Sequence, residues 1–326
     1  MNGIIVNICT TVWMMTVVGS VLFGCWGLFY RFFDRPGQIK AVYYALRLVL
    51  VFYLVPVATL LLWLEDYDFA TDSTEGYFFT FTPGILQAAK WASWIWLAGA
   101  SWMLFSYLRE LRGLRKLRKS CEEAADSQKL LWEACRQELG IRRKVSICQG
   151  ENLPGPLTVG VISPAICLPK TADYTEKQWK MVLLHEWKHC QFHDVLVRCI
   201  AAAVLCVHWF NPAAWYLFEK IKAWGEYHCD YEVCRYWGDG KGYAALLYQM
   251  SAAEKLWGPR RFQTNIAYES KHIAKERIQR MRRYQNMKRQ KTSVAVVLSL
   301  AFLLAGAITS YGAVRGAEQG YELLYQ

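Results

Sequence analysis

The sequence lacks the cysteine pattern of a disulfide framework or a zinc ribbon. Its 11 cysteines include no Cys-x-x-Cys pair, and most of them fall between Cys121 and Cys234 without regular spacing. They are therefore expected to be reduced thiols, most of them buried as small apolar side chains. The sequence also lacks an internal repeat and a low-complexity tract, which excludes a repeat architecture.

Charge is missing from one long stretch near the start of the chain. Residues 4–30 contain no charged side chain and are long enough to cross a bilayer core of ~30 Å. No basic segment precedes this stretch and no small-residue cleavage site follows it, so it is predicted to be a retained span and not a signal peptide. Similar apolar runs at residues 41–64, 85–108 and 292–312 predict a mainly α-helical membrane protein with four transmembrane helices.

Positive charge is missing from the loop of residues 65–84, which has five acidic residues and no lysine or arginine. The chain as a whole is basic, with 38 Lys and Arg against 27 Asp and Glu, and its basic clusters lie at the ends of apolar runs, so direct nucleic-acid binding is not expected. The positive-inside rule then predicts a three-span membrane domain at residues 1–108, a cytoplasmic domain at 109–291, and a last span with a short outer tail at 292–326. Both termini and the acidic loop are expected outside the cell. Arg47, near the start of the second run, is expected to extend to the lipid headgroups.

The run WKMVLLHEWKH, residues 179–189, has the apolar periodicity of a helix. On that helix His185 and His189 lie at i and i+4 on one face with Glu186 beside them, the arrangement of a zinc site with a general base. Imidazole nitrogens ~2.0–2.1 Å from one ion must come from side chains about one helical turn apart. Glu186 would then reach the attacking water instead of the metal. The alternative interpretation is that the two histidines lie on one helix face but bind no metal.

A third protein ligand is expected on a second helix. Glu226 and Asp230 lie four residues apart and therefore share a helix face. Glu226 is predicted to complete the metal site, and Asp230 to orient a ligand imidazole through its other N–H. Asp194 is expected to be a local cap or a similar supporting group behind a ligand, and His228 to be a surface residue.

Short β-rich runs precede the histidine helix. They lie at residues 145–149, 157–162 and 165–169 and predict a small sheet, after a helix at residues 120–140. A capping-box signature beginning at Thr175 marks the start of the histidine helix. The cytoplasmic domain is therefore predicted to be of α+β class.

Several motifs in one order resemble the BlaR/MecR-type antirepressor metallopeptidases, which are integral membrane gluzincins of bacteria. These motifs are GPLTVGVISPAICLP, HEWKHCQFHD, HWFNPAAW, EYHCD and the basic IAKERIQRM segment. The resemblance implies a gluzincin-like zinc protease domain in the cytoplasm, between the third and fourth spans of a bacterial cell membrane protein. It also implies activation by an extracellular signal and cleavage of the protein itself or of a cytoplasmic winged-helix repressor of antibiotic-resistance genes. It assigns the zinc ligands to His185, His189 and Glu226 and the general base to Glu186, and makes LTVGVI the candidate strand for holding a substrate.

The resemblance differs at the end of the sequence. The sensors of that family continue after the fourth span into a penicillin-binding domain with an acylable serine, whereas this sequence stops at Gln326. The expectation is therefore an antirepressor peptidase without that sensor domain, for which the trigger stays open. Two other functions also stay open: a housekeeping membrane protease of the CAAX-prenyl or heat-shock type, and a metal-stabilised receptor without catalysis. A homodimer and self-cleavage within residues 258–272 are further open expectations.

Overall fold

A computed structural model describes most of the chain, namely residues 2–33, 38–57, 60, 83–151, 153, 155–170, 173–256, 271–281, 297 and 300–312. Most of the predicted acidic loop and of the predicted self-cleavage segment lies outside the described residues. Within them, the chain is mostly helical and has one small mixed sheet.

The helices follow the apolar and amphipathic runs of the sequence. They are α1 (Asn2–Phe33), α2 (Ile39–Leu54), α3 (Pro83–Lys119), α4 (Asp126–Glu138), α5 (Glu176–Gln191), α6 (Asp194–Val207), α7 (Pro212–Trp237), α8 (Gly240–Leu256), α9 (Lys271–Met281) and α10 (Leu300–Gly312). The predicted helix at 120–140 is observed in part as α4, because Glu122–Glu123 form a strand and the helix begins only at Asp126. The chain leaves α4 through Gly140 at a φ of +61°.

One helix among the described residues is long and apolar enough to cross a membrane by itself. It is the segment Ile8–Arg31 of α1, which agrees with the first predicted span. Helices α5 and α6 pass the same test only if they are taken as one span bent by 54°. The α10 helix is apolar but shorter than a span, so the other three crossings stay predictions.

The second and third predicted spans differ from their expected shapes. Helix α2 ends at Leu54 because the chain becomes extended at Val55, before Pro56, whose ring disfavours a helical residue in front of it. Helix α3 continues past Leu108 as far as Lys119, so the basic block extends the helix and does not form a loop.

The sheet contains β1 (Glu122–Glu123), β2 (Ser146–Gly150), β3 (Leu157–Val159) and β4 (Ala165–Pro169) in the order β1-β2-β4-β3. Strands β2 and β4 are parallel, and β3 pairs with β4 in antiparallel orientation. The three β-rich runs of the sequence are therefore strands, and β3 is an edge strand among the described residues. This edge faces the side of the domain where α5 lies.

A single core links the N-terminal helices to the helices of the predicted cytoplasmic domain. Trp26 of α1 packs edge-on against Trp224 of α7 with ring centroids 5.8 Å apart, and its indole N–H donates to the Val42 carbonyl of α2 at 3.0 Å. The α1 backbone also comes close to α2, since a Cβ placed on Gly19 would lie 2.6 Å from the Tyr53 ring. Helix α2 therefore lies firmly between α1 and α7.

Candidate metal centre

The helix that carries the two histidines begins at a complete capping box. The Thr175 hydroxyl accepts a hydrogen bond from the Gln178 backbone N–H at 3.3 Å, and the Gln178 side chain accepts one from the Thr175 N–H at 2.8 Å. This confirms the predicted helix start. Buried apolar residues then anchor the helix, so His185 and His189 project from its last turns on a fixed face.

Three potential ligand atoms converge where the sequence predicts a metal site. The two Nε2 atoms of His185 and His189 are 3.1 Å apart, and they lie 3.2 Å and 3.4 Å from the two carboxylate oxygens of Glu226. Ligand atoms at ~2.0–2.1 Å from one ion in tetrahedral positions lie ~3.3 Å from each other. The donor set and its spacing therefore fit one zinc-sized cation.

Each imidazole is held from behind by a carboxylate. The Nδ1 atom of His189 lies 2.8 Å from Asp194 Oδ2, and Nδ1 of His185 lies 3.3 Å from Asp230 Oδ1. The Tyr243 hydroxyl, 2.8 Å from His185 Nδ1 and 2.9 Å from Asp230, joins the second pair. A carboxylate beside Nδ1 favours the tautomer that carries its proton on Nδ1. The lone pair of Nε2 then points toward the candidate metal position, as it does in metal-ligating histidines.

Two arginines neutralise the buried acids of the site. Arg198 of α6 lies 2.6 Å from one oxygen of Glu226, and Arg277 of α9 lies 3.1 Å from the other. Arg277 also donates through Nε and Nη2 to both oxygens of Asp230, each at 2.8 Å. Burial works to raise the pKa of Glu226, but His189 and Arg277 outweigh it and hold the pKa well below its usual value. The carboxylate is therefore kept in the anionic form that binds a cation.

Glu186 lies beside the ligand set and not within it. Its side chain is buried, and one carboxylate oxygen accepts a hydrogen bond at 2.8 Å from the hydroxyl of Thr158 on β3. Both residues line a cleft of about 700 Å³ that also contains the three ligand candidates. The geometry thus places a carboxylate, a candidate metal site and an edge strand around one cavity.

The carboxylate of Asp194 is also bound from the second helix of the chain. The Tyr43 hydroxyl donates to its Oδ1 at 2.8 Å, and the Arg47 guanidinium pairs with the same oxygen. Arg47 donates in addition to the Phe192 carbonyl at 3.0 Å. The expectation that Arg47 extends to the headgroups was therefore wrong, because it is paired with an acid that supports a ligand histidine.

The structure also corrects the expectation for His228. Its side chain is fully buried and not at the surface, and its ring lies over that of Phe192 with centroids 4.1 Å apart. Burial lowers the pKa of His228 to about 4, so the imidazole is neutral at physiological pH. The helical periodicity correctly predicts that His228 lies on a different face of α7 from Glu226. That face is not exposed to solvent, however, because it is buried as well.

Sequence reasoning missed Arg198, Arg277, Tyr243 and Thr158. Arg198 lies within an apolar helix and Arg277 within a strongly basic segment, so neither stands out by composition. The one signal in the sequence is that Arg198 lies inside the apolar run of α6. A buried guanidinium needs an acidic partner, so this position indicates a buried acid nearby.

The model of the family described as BlaR1 peptidase M56 matches residues 81–281, more than half of the chain. The chain belongs to the BlaR1 peptidase M56 family. The matched segment includes β3 and the helices α5 to α9, and therefore every residue of the site described above except Tyr43 and Arg47.

Individual relatives match shorter stretches of the chain. The regulatory protein BlaR1 of Bacillus licheniformis is 29% identical over 175 residues, which are 53% of this chain and 28% of that protein. The methicillin resistance mecR1 proteins of Staphylococcus aureus strain Mu50 and of Staphylococcus epidermidis are 24% identical over 144 residues, 43% of this chain and 24% of each of those proteins. The chain thus spans about a quarter of the length of the curated relatives that it matches.

Proposed function

We propose that this M56 peptidase is an integral-membrane zinc endopeptidase of regulatory proteolysis. It would cleave itself, a cytoplasmic winged-helix repressor, or both, in response to an extracellular signal. One observation carries the proposal: Glu186 faces the cleft beside three converging ligands and is bonded to Thr158 of the adjoining edge strand. A structural metal site would need neither a carboxylate outside the ligand set nor a cleft.

Metal binding, proton transfer and positioning of the base would be carried out by different side chains. Zinc held by His185, His189 and Glu226 would polarise the peptide carbonyl and lower the pKa of the attacking water toward ~7. Glu186 would take the proton from that water and deliver it to the leaving amine. The Thr158 hydroxyl fixes the carboxylate through one oxygen, which leaves its other oxygen for this proton transfer.

The edge strand β3 provides a way to bind a substrate backbone. Its residues Leu157–Val159 pair with β4 on one side and line the cleft. An extended peptide added to β3 would be bound through main-chain hydrogen bonds and would pass Glu186 and the metal. This mode of binding requires little of the substrate sequence and suits a segment that is already extended or unfolded.

Exposed apolar side chains support three of the four predicted spans. In α1 and α3, Trp13, Trp94 and Trp102 are 63%, 66% and 69% exposed, and Leu304 of α10 is 63% exposed. Large apolar patches are rare on monomeric soluble proteins, whereas lipid chains would cover these side chains. We therefore propose a multi-pass protein of the cell membrane, with the peptidase domain in the cytoplasm and both termini outside.

The names of the three relatives described above support a regulatory role. One is named as a regulatory protein and two as methicillin resistance proteins, which favours signalling in β-lactam resistance over a housekeeping protease. The winged-helix repressor, the self-cleavage within residues 258–272 and a homodimer belong to this proposal.

The test compares the full chain with two glutamine variants in membranes. Glu186→Gln should retain one zinc and lose cleavage of a winged-helix repressor and of the chain itself. Glu176→Gln is the matched control, because Glu176 lies on the same helix but is paired with Lys180 at the surface, 2.8 Å away. Cleavage by the Glu186 variant at the rate of the control would overturn the proposed role. A lack of bound zinc in all three proteins would overturn the metal site.

A further inference from the structure

Three cysteine side chains meet on the face of the sheet opposite the candidate active site. Cys148 and Cys167 are directly paired in β2 and β4, with sulfur atoms 3.2 Å apart, and Cys121 follows the end of α3. The three sulfur atoms all lie within 4.8 Å of one another. The sequence shows no regular spacing here, because the thiols are brought together by the fold.

The pleat of the sheet separates this cluster from the proposed zinc site. Ile166 and Leu168 of β4 face the main core shared with α5, whereas Cys167 between them belongs to a separate small core. In that small core Leu153 and Val159 pack with the three cysteines. Thr158, which contacts Glu186, points to the opposite face from its neighbour Leu157, which packs against the thiols.

We propose that Cys121, Cys148 and Cys167 form a binding site for a soft, thiophilic cation, with Cu(I) as the ion that fits best. Thiolates select Cu(I) and zinc over hard cations such as Mg²⁺ and Ca²⁺. Structural zinc sites almost always have four protein ligands. Among the described residues, no fourth histidine, cysteine or carboxylate joins the three sulfur atoms, so the donor set matches an ion that accepts three thiolates.

The surroundings of the cluster provide a path of entry. A small cavity of about 120 Å³, lined by Cys121, opens beside the cluster. Gly150 lies at this point, where a Cβ atom would be 3.1 Å from the Cys121 sulfur.

The test is a titration of the reduced, detergent-solubilised full chain with Cu(I) in competition with a coloured Cu(I) chelator. A Glu226→Gln background removes the contribution of the proposed zinc site. We expect one Cu(I) per chain and three sulfur neighbours by X-ray absorption. Cys148→Ser should weaken binding by about 100-fold or more, because one of three ligands is lost.

Two variants keep the test independent of folding. Cys121→Ser changes the partly exposed thiol at the end of a helix and should weaken Cu(I) binding with an unchanged melting temperature. Cys135→Ser, at a buried thiol of α4 outside the cluster, is the matched control and should bind Cu(I) as the background does. Equal affinity in all variants would overturn the site. Preferential binding of zinc would overturn the choice of ion. The proposal as a whole would be overturned if the chain were isolated with a Cys148–Cys167 disulfide and had no affinity for Cu(I).

Discussion

Replacing Asp194 by asparagine is expected to weaken zinc binding by about 10–100-fold, although Asp194 does not touch the metal in the proposed site. Its carboxylate is 1% exposed and lies 2.8 Å from Nδ1 of His189. Asparagine keeps the shape but removes the charge that makes the imidazole a stronger donor. The expected change in the free energy of zinc binding is about 1.4–2.7 kcal/mol.

The same substitution should destabilise the metal-free protein. Burial opposes ionisation of Asp194, but the hydrogen bond from His189 and the charges of His189, Arg47 and Arg198 outweigh burial and lower its pKa to about 2. Relative to an unfolded carboxyl with a pKa of ~3.9, this shift corresponds to about 2.6 kcal/mol of stability. The sign follows from the lowered pKa: the contribution is present above pH ~4 and is lost as the pH falls toward ~2. The melting difference between the two proteins should therefore disappear in acid.

The assay is zinc competition with a coloured chelator, together with thermal unfolding of the detergent-solubilised chain. Asp239→Asn is the matched control, because Asp239 makes its ion pair with Lys177 at the surface, 2.6 Å away and outside the cleft. The control should keep the zinc affinity of the unchanged chain. A zinc affinity of Asp194→Asn within twofold of that value would refute the view that the carboxylate supports His189.

Two further substitutions test the edge strand and the helix packing. Thr158→Val removes the hydroxyl that holds Glu186 and should lower kcat by about tenfold with KM unchanged, whereas Thr158→Ser should restore kcat; equal kcat for valine and serine would contradict this role. Gly19→Ala places a Cβ 2.6 Å from the Tyr53 ring and should destabilise the chain by about 1–3 kcal/mol. Gly27→Ala on the same helix meets nothing within 4 Å and should leave the melting temperature unchanged or slightly raised, because alanine favours a helix more than glycine does. Equal melting temperatures of the two alanine variants would argue against close packing of the first two helices.

Sequence reasoning succeeded where one helix or strand determines the outcome. The spacing of His185 and His189, the capping box at Thr175 and the β-rich runs are local signals, and the structure contains each of them. Glu226 is distant in sequence from the histidines, yet its four-residue spacing from Asp230 identified a helix face with two acids. The structure places Glu226 at the histidines and Asp230 behind one of them.

The rest of the site could not be predicted because it depends on contacts between distant elements. Arg47 lies in an apolar run that predicts a transmembrane span, and a cationic side chain near the end of a span is usually solvated by lipid headgroups. Its actual partner, Asp194, becomes available only when α2 packs beside the start of α6. Arg277 likewise belongs to a segment with a high density of positive charge, and nothing in its local pattern distinguishes it from its neighbours.

The contact between Arg47 and Asp194 has a consequence for the order of biosynthesis. The two residues are separated by 147 positions, so the ribosome makes α2 long before the ligand helix. Arg277 emerges later still, and until α9 docks, Glu226 and Asp230 lack the guanidinium that neutralises both of them. Buried acids without their partner are strongly unfavourable. The proposed metal-binding geometry is therefore expected to be complete only after α9 has been made and has packed against α7.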